Sequence, residues 1–298
     1  MTSLFLYAWL LWSTASLAKQ THQSVQKNND TWTFDIKWKD QSGQVHQVQF
    51  SLDSQTVKTD IQEPLHFRAR KASQYQAQAI NDWAKETKGV RVKAKARGKK
   101  VRISASGKGI NKVRRKLKKA KAVGKTAQND YVAQNGYTYL KGKVVPDHLK
   151  HVTTYADDLR PLVSALGGPT DDPRVFAEKA LSFTQAIPYE RRGRKPDKYR
   201  RPLSMIGRNK GDCDSKTVLF LALMHEAYPQ MPLAVVYIPG HAFGAIGIAP
   251  DRGELSFRSG GQQWVAVEPV GPALYPIGKV GRKSKRRLKV KGYKIKSM

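Results

Sequence analysis

Apolar and polar residues alternate from Asn28 to Leu52, with Trp32, Phe34, Ile36 and Trp38 on one face and Val45, Val48 and Phe50 following. A period of two marks strands, and Gln41-Ser42-Gly43 supplies a turn, so the segment predicts a β-hairpin. Ser73 to Lys88 carries Tyr75, Ala79, Ile80 and Trp83 at helical spacing. Val90 to Ser104 then alternates Val90, Val92, Ala94 and Ala96 against Arg91, Lys93, Lys95 and Arg97, which predicts two short strands turning at Gly98. A second helix is expected over Ile110 to Ala122. A small α+β domain over 28–125 follows, with a boundary between Thr126 and Val145.

Downstream, Asp172-Pro173 reads as an N-cap and first helical position, and Pro188 marks the end of that helix. Thr217 to Met224 is a helical apolar run. Val235 to Ile238, Ala242 to Ile248 and Trp264 to Val267 read as strands. The last stops at Glu268 because Pro269 cannot donate to a ladder. If the strand opening at His241 pairs antiparallel with the one ending at Glu268, these two residues become neighbours. That expectation treats Pro250 to Gln262 as one loop; a middle strand near Leu255 to Phe257 would send them to opposite ends of the sheet.

A chain of 298 residues suffices for two domains. Leu4 to Trp12 is apolar but too short to span a bilayer, and Ser16-Leu17-Ala18 is a small-residue cleavage pattern, so residues 1–18 read as an export signal. A retained membrane anchor is the alternative, because no Lys or Arg precedes the apolar run. The formal net charge of +31 shapes the choice of partner. It concentrates in Lys85 to Lys125 and in a tail, residues 279–298, expected to be mobile or a frayed edge strand. The first block is either a solvated face or a polyanion contact. In an exported protein the polyanions are envelope polymers and lipid headgroups, and nucleic acid is an unlikely partner.

Cys213 is the only cysteine, so it forms no internal disulfide. It opens the apolar helix, and the unpaired N–H groups and dipole of a helix start favour a thiolate. A thiol nucleophile needs a base and a group to orient that base, which His241 and Glu268 provide. Asp212 is the better N-cap of the two flanking aspartates. His148, His151 and His225 are read as ordinary core or surface histidines. Tyr189, Tyr199 and Trp264 are candidates for a substrate groove, with core packing the alternative for Trp264.

Gly211-Asp212-Cys213-Asp214-Ser215-Lys216, Gly240-His241-Ala242 and Val267-Glu268-Pro269 together resemble the bacterial transglutaminase-like cysteine proteins, over Pro146 to Gly278. The resemblance implies a papain-like core with a helix-borne cysteine against an antiparallel sheet, Cys213 as nucleophile, His241 as base and Glu268 as orienting acid. Phe183-Thr184-Gln185-Ala186-Ile187-Pro188-Tyr189 resembles a family segment and implies Gln185 as an oxyanion donor. Two residues depart from the family: Glu268 stands where aspartate is common, and Asp214 where an aromatic residue is. The expected activity is acyl transfer from an amide through Cys213, to water or to an amine, on a peptide or protein substrate. Neither metal nor organic cofactor is expected. The competing expectations are an inactive scaffold of the same fold that binds envelope polyanions or a protein, and a cationic binder whose cysteine is structural.

Overall fold

The computed structural model describes residues 19–63, 65–190, 198–271 and 273–298, so the export signal expected over 1–18 lies outside them. Strands β1 (Lys19–Lys27), β2 (Thr31–Lys39) and β3 (Val45–Asp53) form an antiparallel sheet in that order. The β2–β3 pair is the hairpin expected from the alternation, and its even-numbered face from Trp32 to Trp38 is buried. Asp40 closes the turn by accepting from Ser42 N and Gln44 N. Helix α1 (Ser54–Gln62) follows.

Contacts divide the chain into two units: residues up to Ile61 together with Val152–Met298, and Gln62–His151 between them. This departs from an N-terminal domain over 28–125, a catalytic domain over 146–278 and a separate tail. Buried polar contacts explain why the first strands join the larger unit. Trp38 Nε1 donates to Ser182 Oγ at 3.0 Å, and its ring meets Phe183 edge-on at 5.3 Å. Asp60 accepts from Ser204 N at 2.6 Å and pairs with Arg201 Nε at 2.6 Å. Such long-range partners leave no trace in local periodicity.

The inserted unit runs α2 (Ala69–Lys85), β4 (Arg91–Arg97), β5 (Lys100–Ser106), α3 (Ile110–Gln134), β6 (Tyr137–Leu140) and β7 (Lys143–Pro146). Helix α3 outlasts its expected end at Ala122 because Ala127 and Val132 are also buried. Ala77, Ile80, Val92, Ala94 and Ala120 make the core beneath the β4–β5 ribbon. The ribbon's other face carries Arg91, Lys93, Lys95, Arg97, Lys100 and Arg102, with Lys95 directly opposite Arg102 and Arg97 opposite Lys100. Like charges in register oppose pairing.

Helix α4 (His148–Tyr155) leads back to the larger unit, where a 3-10 turn (Asp157–Leu159) precedes α5 (Arg160–Ala165), α6 (Pro173–Ala186), α7 (Pro202–Arg208) and α8 (Cys213–Ala227). Strands β8 (Leu233–Ile238), β9 (His241–Ile246), β10 (Ser256–Ser259) and β11 (Gln262–Val267) follow, then helix α9 (Arg282–Lys289) and β12 (Lys294–Ser297). The sheet order is β10-β11-β9-β8-β12, antiparallel throughout, and the fold class is mixed α+β.

Two expectations change here. A strand does form between β9 and β11, yet it adds outside β11 and leaves β9 and β11 adjacent. The C-terminal segment ends in an edge strand, as one of the two expectations had it, but a paired one: β12 pairs with β8 over Lys294 to Ser297, and Met298 exchanges backbone hydrogen bonds with Leu233. Few apolar residues occur there, but Leu288, Tyr293 and Ile295 all pack into the sheet's core.

Replacing Lys95 with Glu converts a repulsive cross-strand pair into an attractive one, and should stabilise the protein by about 0.5–1 kcal/mol. Thermal unfolding at low salt should register the gain. In about 1 M salt, where screening acts over about 3 Å, most of it should vanish.

Candidate functional site

The start of α8 is built by its cap. Asp212 Oδ1 accepts from Ser215 N at 2.9 Å and from Ser215 Oγ at 2.5 Å, and Ser215 Oγ in turn accepts from Arg200 N at 2.7 Å. Gly211 permits the close approach behind the cap, because a β-carbon there would lie 2.8 Å from Met205 Sδ and 2.9 Å from Ser215 Cβ. Its N–H donates to Pro188 O, and its carbonyl accepts from Glu190 N. Arg200 then grips both oxygens of Glu190, at 2.6 and 2.7 Å. The expected N-cap role of Asp212 is thus observed, and so is that of Asp172, which accepts from Arg174 N to open α6.

His241 and Glu268 meet. His241 Nε2 lies 2.8 Å from Glu268 Oε1; the acid's side chain is 4% exposed and the imidazole 17%. The register pairs Val267 with Gly244, so one further step sets Glu268 against Phe243, and the pair is diagonal rather than directly opposite. Diagonal neighbours are about 7–8 Å apart at the backbone and need long side chains to touch. The extra methylene of glutamate over aspartate suits that span. Ser284 of α9 donates to Glu268 Oε2 at 3.0 Å, which holds the second oxygen. No feature of the sequence singled out Ser284, because its partner comes from another part of the chain.

Cys213 approaches from elsewhere. The even residues of β9 face α8, with Thr217 Oγ1 donating to Ala242 O and Leu221 against Gly244. Phe243 and Ala245 belong to the opposite face, with Leu288 of α9, and the His241 ring stacks on Phe243 at 6.1 Å. The partly buried thiol lies near the Ala242 N–H, one residue past His241, and its hydrogen bond runs to Asp214 Oδ1 at 3.4 Å. Among the described residues no hydrogen bond joins Sγ to His241. Burial pushes the Cys213 thiol well above its ordinary value, and the Asp214 carboxylate pushes the same way against the Ala242 N–H. The thiolate expected from the helix start is therefore outweighed, and the resting group is a thiol.

Gln185 is buried at the end of α6, but both of its N–H bonds are committed: Nε2 donates to Glu268 O at 2.9 Å and to Tyr275 O at 2.8 Å. A flipped amide would set oxygen against two carbonyls, so the orientation is determined. Neither N–H is left to donate to an oxyanion. Its Oε1 is buried without a partner. The arrangement makes Gln185 a clamp on the backbone that carries Glu268.

Lys216, one turn into α8, is wholly buried, and its Nζ donates to Gln185 O at 2.9 Å. Burial lowers its pKa from 10.5 to about 7. Nothing in the local sequence marks this lysine as buried, because its enclosure comes from residues distant along the chain. Trp264 is core, as its alternative reading had it.

Among the described residues no group of three or more His, Cys, Asp or Glu could hold a metal ion, and no helix is long and apolar enough to cross a membrane.

Two predictions follow from these charges. In the unfolded chain Lys216 binds its proton up to about pH 10.5, whereas the folded chain releases it near pH 7. Its burial therefore costs the fold most below pH 7, on the order of 5 kcal/mol, less as pH rises, and nothing above 10.5. Lys216→Met should raise stability by about 3 kcal/mol at pH 6 to 7, net of the Gln185 carbonyl it leaves unpaired, and the gain should vanish or reverse by pH 10, measured by urea unfolding across that range. Asp214→Asn removes a negative charge and an acceptor beside the thiol. Its alkylation by iodoacetamide should become faster at neutral pH, with the pH profile moved to lower values; an unmoved profile would assign the shift to burial alone.

Comparisons of the chain with protein-family models, curated proteins and solved structures gave no match.

Proposed function

We propose that the protein is an exported thiol enzyme that acts on amide bonds of peptides or proteins through an acyl-enzyme on Cys213, with a papain-like, transglutaminase-like core. The observation that carries this reading is the 2.8 Å contact between His241 and the buried Glu268 at the strand start beside which the Cys213 helix begins. Glu268 bonded to Nε2 leaves Nδ1 to serve as the base. Because the thiol is protonated at rest, attack and proton transfer are coupled. Sγ bonds to the carbonyl carbon as Nδ1 takes the S–H proton, with the imidazole turning about its side-chain torsions toward the thiol. Collapse of the tetrahedral species breaks the C–N bond, and the imidazolium returns that proton to the departing amine. Water or a second amine then attacks the thioester and regenerates the thiol.

A second reading has its own observation. The Cys213 thiol is bonded to Asp214 rather than His241, and the inserted unit presents in-register cations that oppose its own folding. Both suit an inactive scaffold that holds anionic envelope polymers or lipid headgroups.

Incubating the full chain with casein and a fluorescent primary amine separates the two. The enzyme reading expects fluorescence on casein if the acceptor is an amine, or new amino termini if it is water. Either signal should fall by a factor of about 10² or more in Cys213→Ala and in His241→Gln. Equal signals from wild type and Cys213→Ala, or none from either, would move the assignment to the scaffold.

A further inference from the structure

A cavity of about 330 Å³ opens on the α9 side of the sheet, lined by His241 and Glu268 together with Tyr275, Arg282, Lys283 and Ser284. Its size falls at the small end of the range for small-molecule sites, about 300–1,000 Å³. Cys213 does not line it. The cavity borders the imidazole from the side of Glu268 and α9.

Its charges are unequal. Glu268 is engaged by His241 and Ser284 through one oxygen each. Arg282 and Lys283, among the described residues, have no carboxylate partner. The Lys283 ammonium lies over Gly240, 3.7 Å from where a β-carbon would stand, at a turn whose φ of +68° suits glycine. Tyr275 is held at its backbone by Gln185, and its hydroxyl reaches toward Gly281. Helix α9 is anchored beneath by buried Ser284 and Leu288, so the two cations stand on a fixed element. An open site with two cations and a phenol, whose one carboxylate is already engaged by His241 and Ser284, favours an anion that reaches Arg282 and Lys283.

We propose that this cavity receives the leaving-group side of the amide, and that Arg282 and Lys283 recognise a free carboxylate on the departing amine. The favoured substrates are then amides of amino acids or of short peptides that end in a carboxylate. In the reaction the C–N bond breaks, the amine takes its proton from the His241 imidazolium, and its carboxylate stays paired with the cations until release. This inference rests on the thiol-enzyme reading for its chemistry, but its binding site stands apart from Cys213.

The test is binding to the full-length Cys213→Ala protein, which holds a substrate without turning it over. The probes are N-acetyl-alanyl-alanine and its carboxamide, compared by calorimetry at about 0.15 M salt. The carboxylate should bind about tenfold tighter than the carboxamide. Arg282→Gln with Lys283→Gln should remove that preference. Lys285→Gln with Arg286→Gln, on the same helix but outside the cavity, should retain it and so controls for diffuse charge. Equal binding of the two probes, no binding of either, or equal losses in the two double variants would overturn the proposal. A preference that behaves as expected in a protein whose wild-type Cys213 forms no acyl-enzyme would uphold the anion site and sink the enzyme reading. An active Cys213 without the preference would do the reverse.

Discussion

The larger unit depends on the burial of α8 on every side. From Ser215 to Met224 each residue is buried, and Val218, Leu219, Phe220, Leu221, Leu223 and Met224 are fully enclosed. A helix with no polar face has no solvent side to slide along, so its position is set by its neighbours. Each large side chain contributes about 1.5–3 kcal/mol of burial. That burial outweighs the cost of enclosing Lys216, whose ammonium has to give up water within the same segment.

The same constraint reaches the site. Lys216 donates to Gln185, Gln185 clamps the backbone of Glu268 and Tyr275, and Glu268 links His241 to Ser284. One chain of polar contacts thus crosses the unit from the buried helix to the cationic α9. Each link is a buried group that would be costly to leave unpaired. The C-terminal residues, strongly basic by composition, belong to the scaffold that holds the acid in place.

Local signals in the sequence were reliable where the physics is local. Asp212 and Asp172 could be assigned as caps because an N-cap interacts with backbone only two or three residues away. The β2–β3 hairpin followed from alternation, and the His241–Glu268 contact from the ends of two strands. The diagonal register of that contact could not be anticipated, nor could the strand that adds outside β11, since strand order depends on which edges remain open. The contact-based division of the chain differs from the one periodicity suggests for a related reason. Trp38 and Asp60 find their partners more than 140 residues away.

By itself the sequence determined the β2–β3 hairpin, the helices and strands with strong periodicity, the two caps, the position of Cys213 at a helix start and the concentration of positive charge, because each follows from neighbours along the chain. Only the tertiary structure decided what those residues do to one another. It made the thiol a weaker acid than expected by burying it beside Asp214, committed Gln185 to two carbonyls, enclosed Lys216 and brought Ser284 to Glu268. Desolvation and hydrogen-bond partnership are properties of the space around a side chain, and that space is filled by residues distant in sequence.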